Sequence, residues 1–261
     1  MQDLIFKKTQ KRDLHIKIYG PIKKIYDKAP LYFLIPGGGW HTENIDDMVD
    51  FVSIVAEILQ NSGYAVAGID YRIASDGVIM SEIIDDCFDA LAYVTNNAEK
   101  LNIDKNNIIT CGHSAGGHLA LMLAYLSKKR CPNCTIKVAA VMSPPTILNG
   151  FETHNLRDID DVFSGADKDA ERKKASPYEY VTSDCPPTFL SAGTSDRLVF
   201  CNSSELLYKK LKENGVDTEL VISVCGGHCF EQMHDGITPN PSNNEIQRKM
   251  ADFILKYAPG K

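Results

Sequence analysis

Residues 107–120 read Asn-Ile-Ile-Thr-Cys-Gly-His-Ser-Ala-Gly-Gly-His-Leu-Ala. Asn107 to Gly112 is a short apolar run with β-branched residues, the signature of a buried strand. Ala115 to Lys128 is rich in Ala and Leu and predicts a helix. Between them stands only Gly112-His113-Ser114-Ala115-Gly116, a G-x-S-x-G turn that must reverse sharply from strand to helix. A serine on so tight a turn needs small neighbours; Gly112 and Gly116 supply them, and Gly117 adds room. The Ser114 hydroxyl is then lifted above the strand end, at the positive end of the following helix.

The same alternation runs outward from this turn. Leu31 to Ile35 is an apolar run stopped by Pro36 and three glycines, so it predicts a buried strand. Residues 46–62 carry apolar side chains at helical spacing, with Asp46 and Asp47 at the positive end and Gly63 as the C-terminal cap. Strands are expected at 64–70, 137–143, 188–192 and 218–224. Helices are expected at about 80–100, at 202–214 before Gly215, and at 244–257. Residues 14–20 predict an antiparallel edge strand or hairpin. Strand-helix alternation of this length gives an α/β fold, a mostly parallel sheet covered by helices on both faces. In such sheets sites form in the loops at the carboxyl ends of the strands.

A serine at its free pKa is a weak nucleophile and needs a base, itself oriented by an acid. Asp196 sits in the loop after the strand at 188–192, and His228 in the loop after the strand at 218–224. That is the chain order Ser, acid, His that goes with this turn. The rival carboxylates Asp184 and Asp217 precede strands. Of the other histidines, His113 and His118 flank the serine too closely in sequence to face its hydroxyl. His15, His154 and His234 are placed in the edge strand, in an insertion and past the strand end. Acyl transfer also needs donors for the developing oxyanion. Gly38 and Gly39, in the loop after Leu31 to Ile35, and Ala115 after the serine offer backbone N–H groups for it. Trp40 and His41 follow directly and are expected at the substrate.

The 261 residues are 44% hydrophobic and 24% charged, which fits one globular domain over 1–261. A net charge of −6 argues against nucleic acid or an anionic membrane as partner. The N-terminal MQDLIFKKTQKRD lacks the apolar core of a signal peptide, so a cytoplasmic protein with mostly reduced cysteines is expected. Cys131-Pro132-Asn133-Cys134 has the spacing of half a zinc knuckle. No second Cys-x-x-Cys or His pair follows, so it reads as a surface turn with two thiols, and neither metal nor cofactor is expected.

Six segments resemble the α/β-hydrolase fold and, within it, carboxylesterases of the hormone-sensitive-lipase and acetyl-xylan/feruloyl-esterase-like groups. They are PGGGW at 36–40, GIDYRIA at 68–74, GHSAGGHLA at 112–120, ASPYEYV at 175–181, GTSDRLV at 193–199 and GGHCF at 226–230. The resemblance implies Ser114 as nucleophile, Asp196 as acid, His228 as base, and Gly38, Gly39 and Ala115 as oxyanion donors. Those groups usually carry His before the glycines; here it is Pro36, so the loop must be braced differently. Arg72 and Asp86 match a pair that looks structural in these groups, a salt bridge locking sheet to helix.

Residues 144–180 read as a small insertion over the site. Its Asp167-to-Lys174 stretch is charged and has too few large apolar residues for a lipase-style lid. The expectation is a serine carboxylesterase with an open pocket for short, acetyl-type esters of sugars or small alcohols. The alternatives are a kynurenine-formamidase-like amidase, a prolyl-oligopeptidase-like peptidase, and a non-enzymatic receptor on a hydrolase scaffold.

Overall fold

The computed structural model describes residues 1–149, 153–155, 159–165 and 167–260. The chain opens with a hairpin, β1 (Gln2–Lys8) and β2 (Asp13–Tyr19), as the pattern at 14–20 implied. Then come β3 (Ala29–Ile35), α1 (Ile45–Phe51), α2 (Ser53–Asn61), β4 (Ala65–Ile69), α3 (Met80–Asn96) and α4 (Ala98–Leu101). Next are β5 (Ile103–His113), α5 (Ala115–Arg130), β6 (Ile136–Met142) and α6 (Lys168–Lys174). The chain finishes with β7 (Thr188–Gly193), α7 (Cys201–Glu213), β8 (Thr218–Ser223) and α8 (Asn243–Tyr257).

The strands make an eight-stranded sheet in the order β1-β2-β4-β3-β5-β6-β7-β8. β1 and β2 pair antiparallel, β2 meets β4 antiparallel, and all pairs from β4 to β8 are parallel. Strand alternation splits the core into two layers. Leu31, Phe33 and Ile35 of β3 face the layer of α3, α5 and α7, with Leu91, Leu119 and Leu207. Tyr32 and Leu34 face the layer of α1, α2 and α8, with Met48, Leu59 and Ile254. α5 is buried on almost every side, which explains why its sequence is apolar rather than amphipathic.

Two expected helices are broken. Residues 46–62 form α1 and α2 with Val52 between them at φ −104° and ψ 23°. The break is held from a distance: Gln247 of α8 accepts from the N–H groups of Ile54 and Val55 at 3.1 and 3.2 Å and donates to the Phe51 carbonyl at 2.9 Å. A side chain nearly two hundred residues away thus caps the first turn of α2. The helix expected to about residue 100 is interrupted at Asn97, between α3 and α4.

The expected Arg72–Asp86 bridge is two-pronged, at 2.8 and 2.9 Å, and the Arg72 backbone N–H adds a third contact at 3.0 Å. Asp86 is fully buried and also receives Lys7 of β1 at 2.6 Å. One buried carboxylate therefore ties the hairpin, the end of β4 and α3 together, the kind of pairing and hydrogen bonding a buried charge requires. The insertion expected over 144–180 lies partly outside the described residues. Within them, Asp167 caps α6 by accepting from Ala170 N–H. The charge pattern at 167–174 does not leave α6 wholly in solvent: Arg172 is buried, paired with Asp160 and with Asp169. Among the described residues no helix is long and apolar enough to cross a membrane.

Candidate active site

Ser114 occupies the turn between β5 and α5 with φ 55° and ψ −124°, a conformation L-residues rarely adopt. The turn closes because its neighbours lack side chains. A Cβ on Gly112 would run into the backbone of Gly116, and one on Gly116 into the carbonyls of Ile35 and Pro36. Ser114 N–H donates to the Met142 carbonyl of β6 at 2.9 Å, so the strained residue is clamped to the next strand.

Asp196 and His228 leave the carboxyl ends of β7 and β8, as their sequence positions implied. The Asp196 side chain is fully buried. Its Oδ1 accepts from Leu198 and Val199 N–H at 2.8 and 3.0 Å, and its Oδ2 meets His228 Nδ1 at 2.6 Å. The two loops are stitched by Ser195 N–H donating to the Gly226 carbonyl at 2.9 Å. The rival Asp184 is exposed, beside Lys128.

Two residues that sequence reasoning did not assign to the site hold His228. Its carbonyl accepts from Ser143 Oγ and faces His113 Nε2, both at 2.9 Å, and the rings of His113 and His228 lie 4.7 Å apart. This places His228 against the residue that precedes Ser114. Burial, aided by the charge His228 carries when protonated, lowers His113 from 6.5 to about 4. His113 is therefore neutral near pH 7 and can donate its Nε2–H to the carbonyl. Ser143, at φ 45°, directly follows β6; the only signal in sequence was its position at a strand terminus.

The loop after β3 lies against this turn, where a Cβ on Gly37 would meet the His113 carbonyl. Gly38 takes φ 118° and Gly39 φ 63°, values that glycine adopts without strain. The N–H groups of Gly38, Gly39 and Ala115 donate to no protein acceptor among the described residues. The brace expected in place of the missing histidine is Tyr71: its buried hydroxyl donates to the Pro36 carbonyl at 2.8 Å and lies 3.4 Å from that of Gly37. Trp40 does not wall an open pocket as expected. It is 1% exposed, with its ring edge-on to His118 at 5.2 Å, so it packs beneath the loop. His118 in turn reaches the Ala175 carbonyl at 2.7 Å, and burial lowers it from 6.5 to about 4. His41 is half-buried, with Nδ1 2.7 Å from Gly39 O and Nε2 3.2 Å from Asp161 Oδ2, and so links the loop to the insertion.

A cleft of about 480 Å³ opens beside this loop, lined by Gly37, Gly38, Thr42, Glu43, Phe51 and His113 among others. Glu43 is a further residue the sequence did not single out. Burial and the nearby Asp70 raise its carboxyl from 4.5 to about 7 against the opposing pull of Arg12, which pairs with it at 2.7 Å. The arrangement offers a strained hydroxyl, an imidazole oriented by a buried carboxylate, and, in the neighbouring glycine loop and at the start of α5, amides with no protein acceptor among the described residues. Those are the parts acyl transfer uses.

Comparison with known proteins gives consistent relatives. The BD-FAE family model matches residues 16–211. An arylesterase of Saccharolobus solfataricus is 33% identical over 135 residues, 51% of this chain and 42% of that protein. An esterase of Gibberella moniliformis is 25% identical over 237 residues, 81% of this chain and 73% of that protein. The match to one further curated relative spans only 29% of its length. Among solved structures, a propionate-bound thermophilic esterase, Est2, from Thermogutta terrifontis superposes with a TM-score of 0.79 at 24% identity, covering 100% of this chain and 96% of that one.

Proposed function

The chain belongs to the BD-FAE family and has the α/β-hydrolase fold, and from that premise we propose that it is a serine carboxylesterase. In this reading Ser114 attacks the ester carbonyl while His228 takes its proton. Asp196 holds His228 in the tautomer that accepts and stabilises the imidazolium that forms. The amides of Gly38, Gly39 and Ala115 receive the oxyanion. His228 then returns the proton to the leaving alcohol, and water repeats the sequence on the acyl-enzyme. The observation that carries the reading is the 2.6 Å contact between His228 and a carboxylate already fixed by two backbone amides.

The substrates proposed are small-molecule esters with short, acetyl-type acyl groups, with acetylated sugars among them, hydrolysed without metal or cofactor in the cytoplasm. This reading assigns the small alcohol to the cleft beside the glycine loop, which His113, next to Ser114, borders and which Thr42, Glu43 and Asn44 line together with Met48 and Phe51. The reading takes the chain as one domain, with 144–180 as an insertion beside the site. A panel of p-nitrophenyl esters from acetyl to decanoyl tests it, with a formanilide beside them. The expected kcat/KM is highest for acetyl or propionyl. A maximum at decanoyl overturns the short-acyl assignment, and faster cleavage of the formanilide turns the assignment to an amidase. No reaction with a fluorophosphonate probe points to a receptor.

A further inference from the structure

We propose that Cys131 and Cys134 are a dithiol that closes into a reversible disulfide, with a small-molecule disulfide as oxidant. The pair lies at the far end of α5, about 24 Å along the helix from Ser114 at a rise of roughly 1.5 Å per residue. It takes no part in the chemistry proposed above.

The geometry is prepared by the backbone. Cys131 N–H donates to the Ser127 carbonyl at 2.7 Å, which ends the helix. Cys134 N–H donates back to the Cys131 carbonyl at 3.3 Å, so residues 131–134 form a hydrogen-bonded turn with Pro132 at its second position. Such a turn keeps its end Cα atoms closer than about 7 Å, the range a disulfide needs. Thr135 N–H is fixed to the Lys105 carbonyl of β5 at 3.0 Å, so the chain is anchored on the other side too.

Within this frame the two Sγ atoms are 3.4 Å apart. Closing to an S–S bond requires a further approach of about 1.4 Å, within reach of side-chain rotation. No third His, Cys, Asp or Glu joins them in a metal-holding group among the described residues. Access is unequal. Cys131 is 5% exposed, whereas Cys134 is half-buried and borders a cavity of about 460 Å³ with Lys128, Pro132 and Asp184.

The chemistry follows from that inequality. Cys134 loses its proton and attacks one sulfur of R–S–S–R, forming a mixed disulfide and releasing one thiolate. Cys131 then loses its proton and attacks the Cys134 sulfur, forming the Cys131–Cys134 bond and releasing the second thiolate. The two thiolates take up the two protons: two protein thiols are oxidised and one small disulfide is reduced to two thiols. Burial and the adjacent Cys131 raise the Cys134 thiol from 9.0 to about 12. The thiolate is scarce, so exchange is slow.

The test incubates the full chain in glutathione buffers of graded oxidised-to-reduced ratio, approached from both directions. Acid quenching, alkylation and mass spectrometry of the peptide spanning residues 131–134 follow. The expected result is one two-electron transition, from a doubly alkylated peptide to one lacking two hydrogens. Cys131→Ser should stop at a single glutathionyl group on Cys134. Ester hydrolysis by the wild type should change less than about twofold across the transition, since the pair is remote from Ser114. A peptide that stays doubly alkylated at every ratio overturns the proposal, as does glutathionylation of both cysteines or a bridge from either one to another cysteine.

Discussion

The two sides of Ser114 are held in different ways. On the acid–base side the partners are fixed by backbone and buried groups, each in more than one way: Asp196 by two amides and the His228 ring, His228 by that carboxylate and by two contacts to its carbonyl. On the proposed oxyanion side a glycine loop with positive φ closes on itself, His41 and Thr42 N–H both donating to the Gly38 carbonyl at 3.1 Å, and is tied to the rest of the molecule by Ala74 N–H on the Trp40 carbonyl at 2.8 Å and by a few side chains. Tyr71 holds its entrance, the buried Trp40 packs on His118, and His41 links it to the exposed Asp161. Redundant backbone bracing suits groups whose angles must survive proton transfer. Glycines suit amides that must approach a ligand closely, and their freedom is then limited by the loop's own turn together with contacts from outside it.

Replacing Ser114 by Ala removes the group both sides serve. The expected loss is on the order of a millionfold in kcat with unchanged thermal stability, as for other triad hydrolases. Turnover near the wild-type rate in purified Ser114→Ala excludes the whole assignment.

The acid–base side alone is tested by Asp196→Asn. Asn is nearly isosteric and can keep the two amide contacts through its oxygen, but it turns an NH₂ toward His228 and disfavours the productive tautomer. A drop of about a thousandfold or more in kcat is expected, with little change in Tm. Asp184→Asn and Asp217→Asn should remain active. If Asp196→Asn keeps full activity, Asp196 is only a loop cap and the comparison fails on this side.

Tyr71→Phe tests the other side. It removes the hydroxyl that holds the Pro36 carbonyl and keeps the ring. A buried hydrogen bond is worth about 1–2 kcal/mol, and each 1.36 kcal/mol lost in the transition state is a factor of ten, so kcat should fall roughly tenfold. An unchanged kcat means that the glycine loop needs no brace from Tyr71.

Each side also contains one imidazole with a lowered pKa, His113 against His228 and His118 against Trp40. Both fall from 6.5 to about 4. The folded state therefore binds fewer protons than the unfolded chain between those values. The stability they contribute is complete above about pH 6.5 and is lost as pH falls toward 4. For the fully buried His118 the effect is at most about 3 kcal/mol. Glu43, raised to about 7, acts in the opposite sense between its usual value of 4.5 and 7, so it offsets part of the loss. Tm should fall by several degrees between pH 7 and pH 4, and by less in His118→Gln. Equal falls in the two proteins show that His118 already titrates normally in the fold.

The sequence by itself determined the order of strands and helices, the strained turn at Ser114, and the strand-end positions of Asp196 and His228. Those features rest on neighbours in the chain: apolar periodicity, glycines beside the serine, and the rule that parallel strands present their carboxyl ends to one side. Tertiary structure alone decided what steadies them. The break at Val52 depends on Gln247, the support of Pro36 on Tyr71, the hold on His228 on Ser143 and His113, and the burial of Trp40 on His118. Most of these contacts join residues far apart in sequence, and they exist only once β3, β5 and β6 are aligned. Their hydrogen-bonding groups are common polar atoms with no local pattern, so nothing in a linear reading distinguishes a brace from a solvated side chain. The Trp40 expectation went astray for the same reason: the chain shows that it follows Gly38 and Gly39, but only packing shows which way a ring on a residue at φ 63° turns.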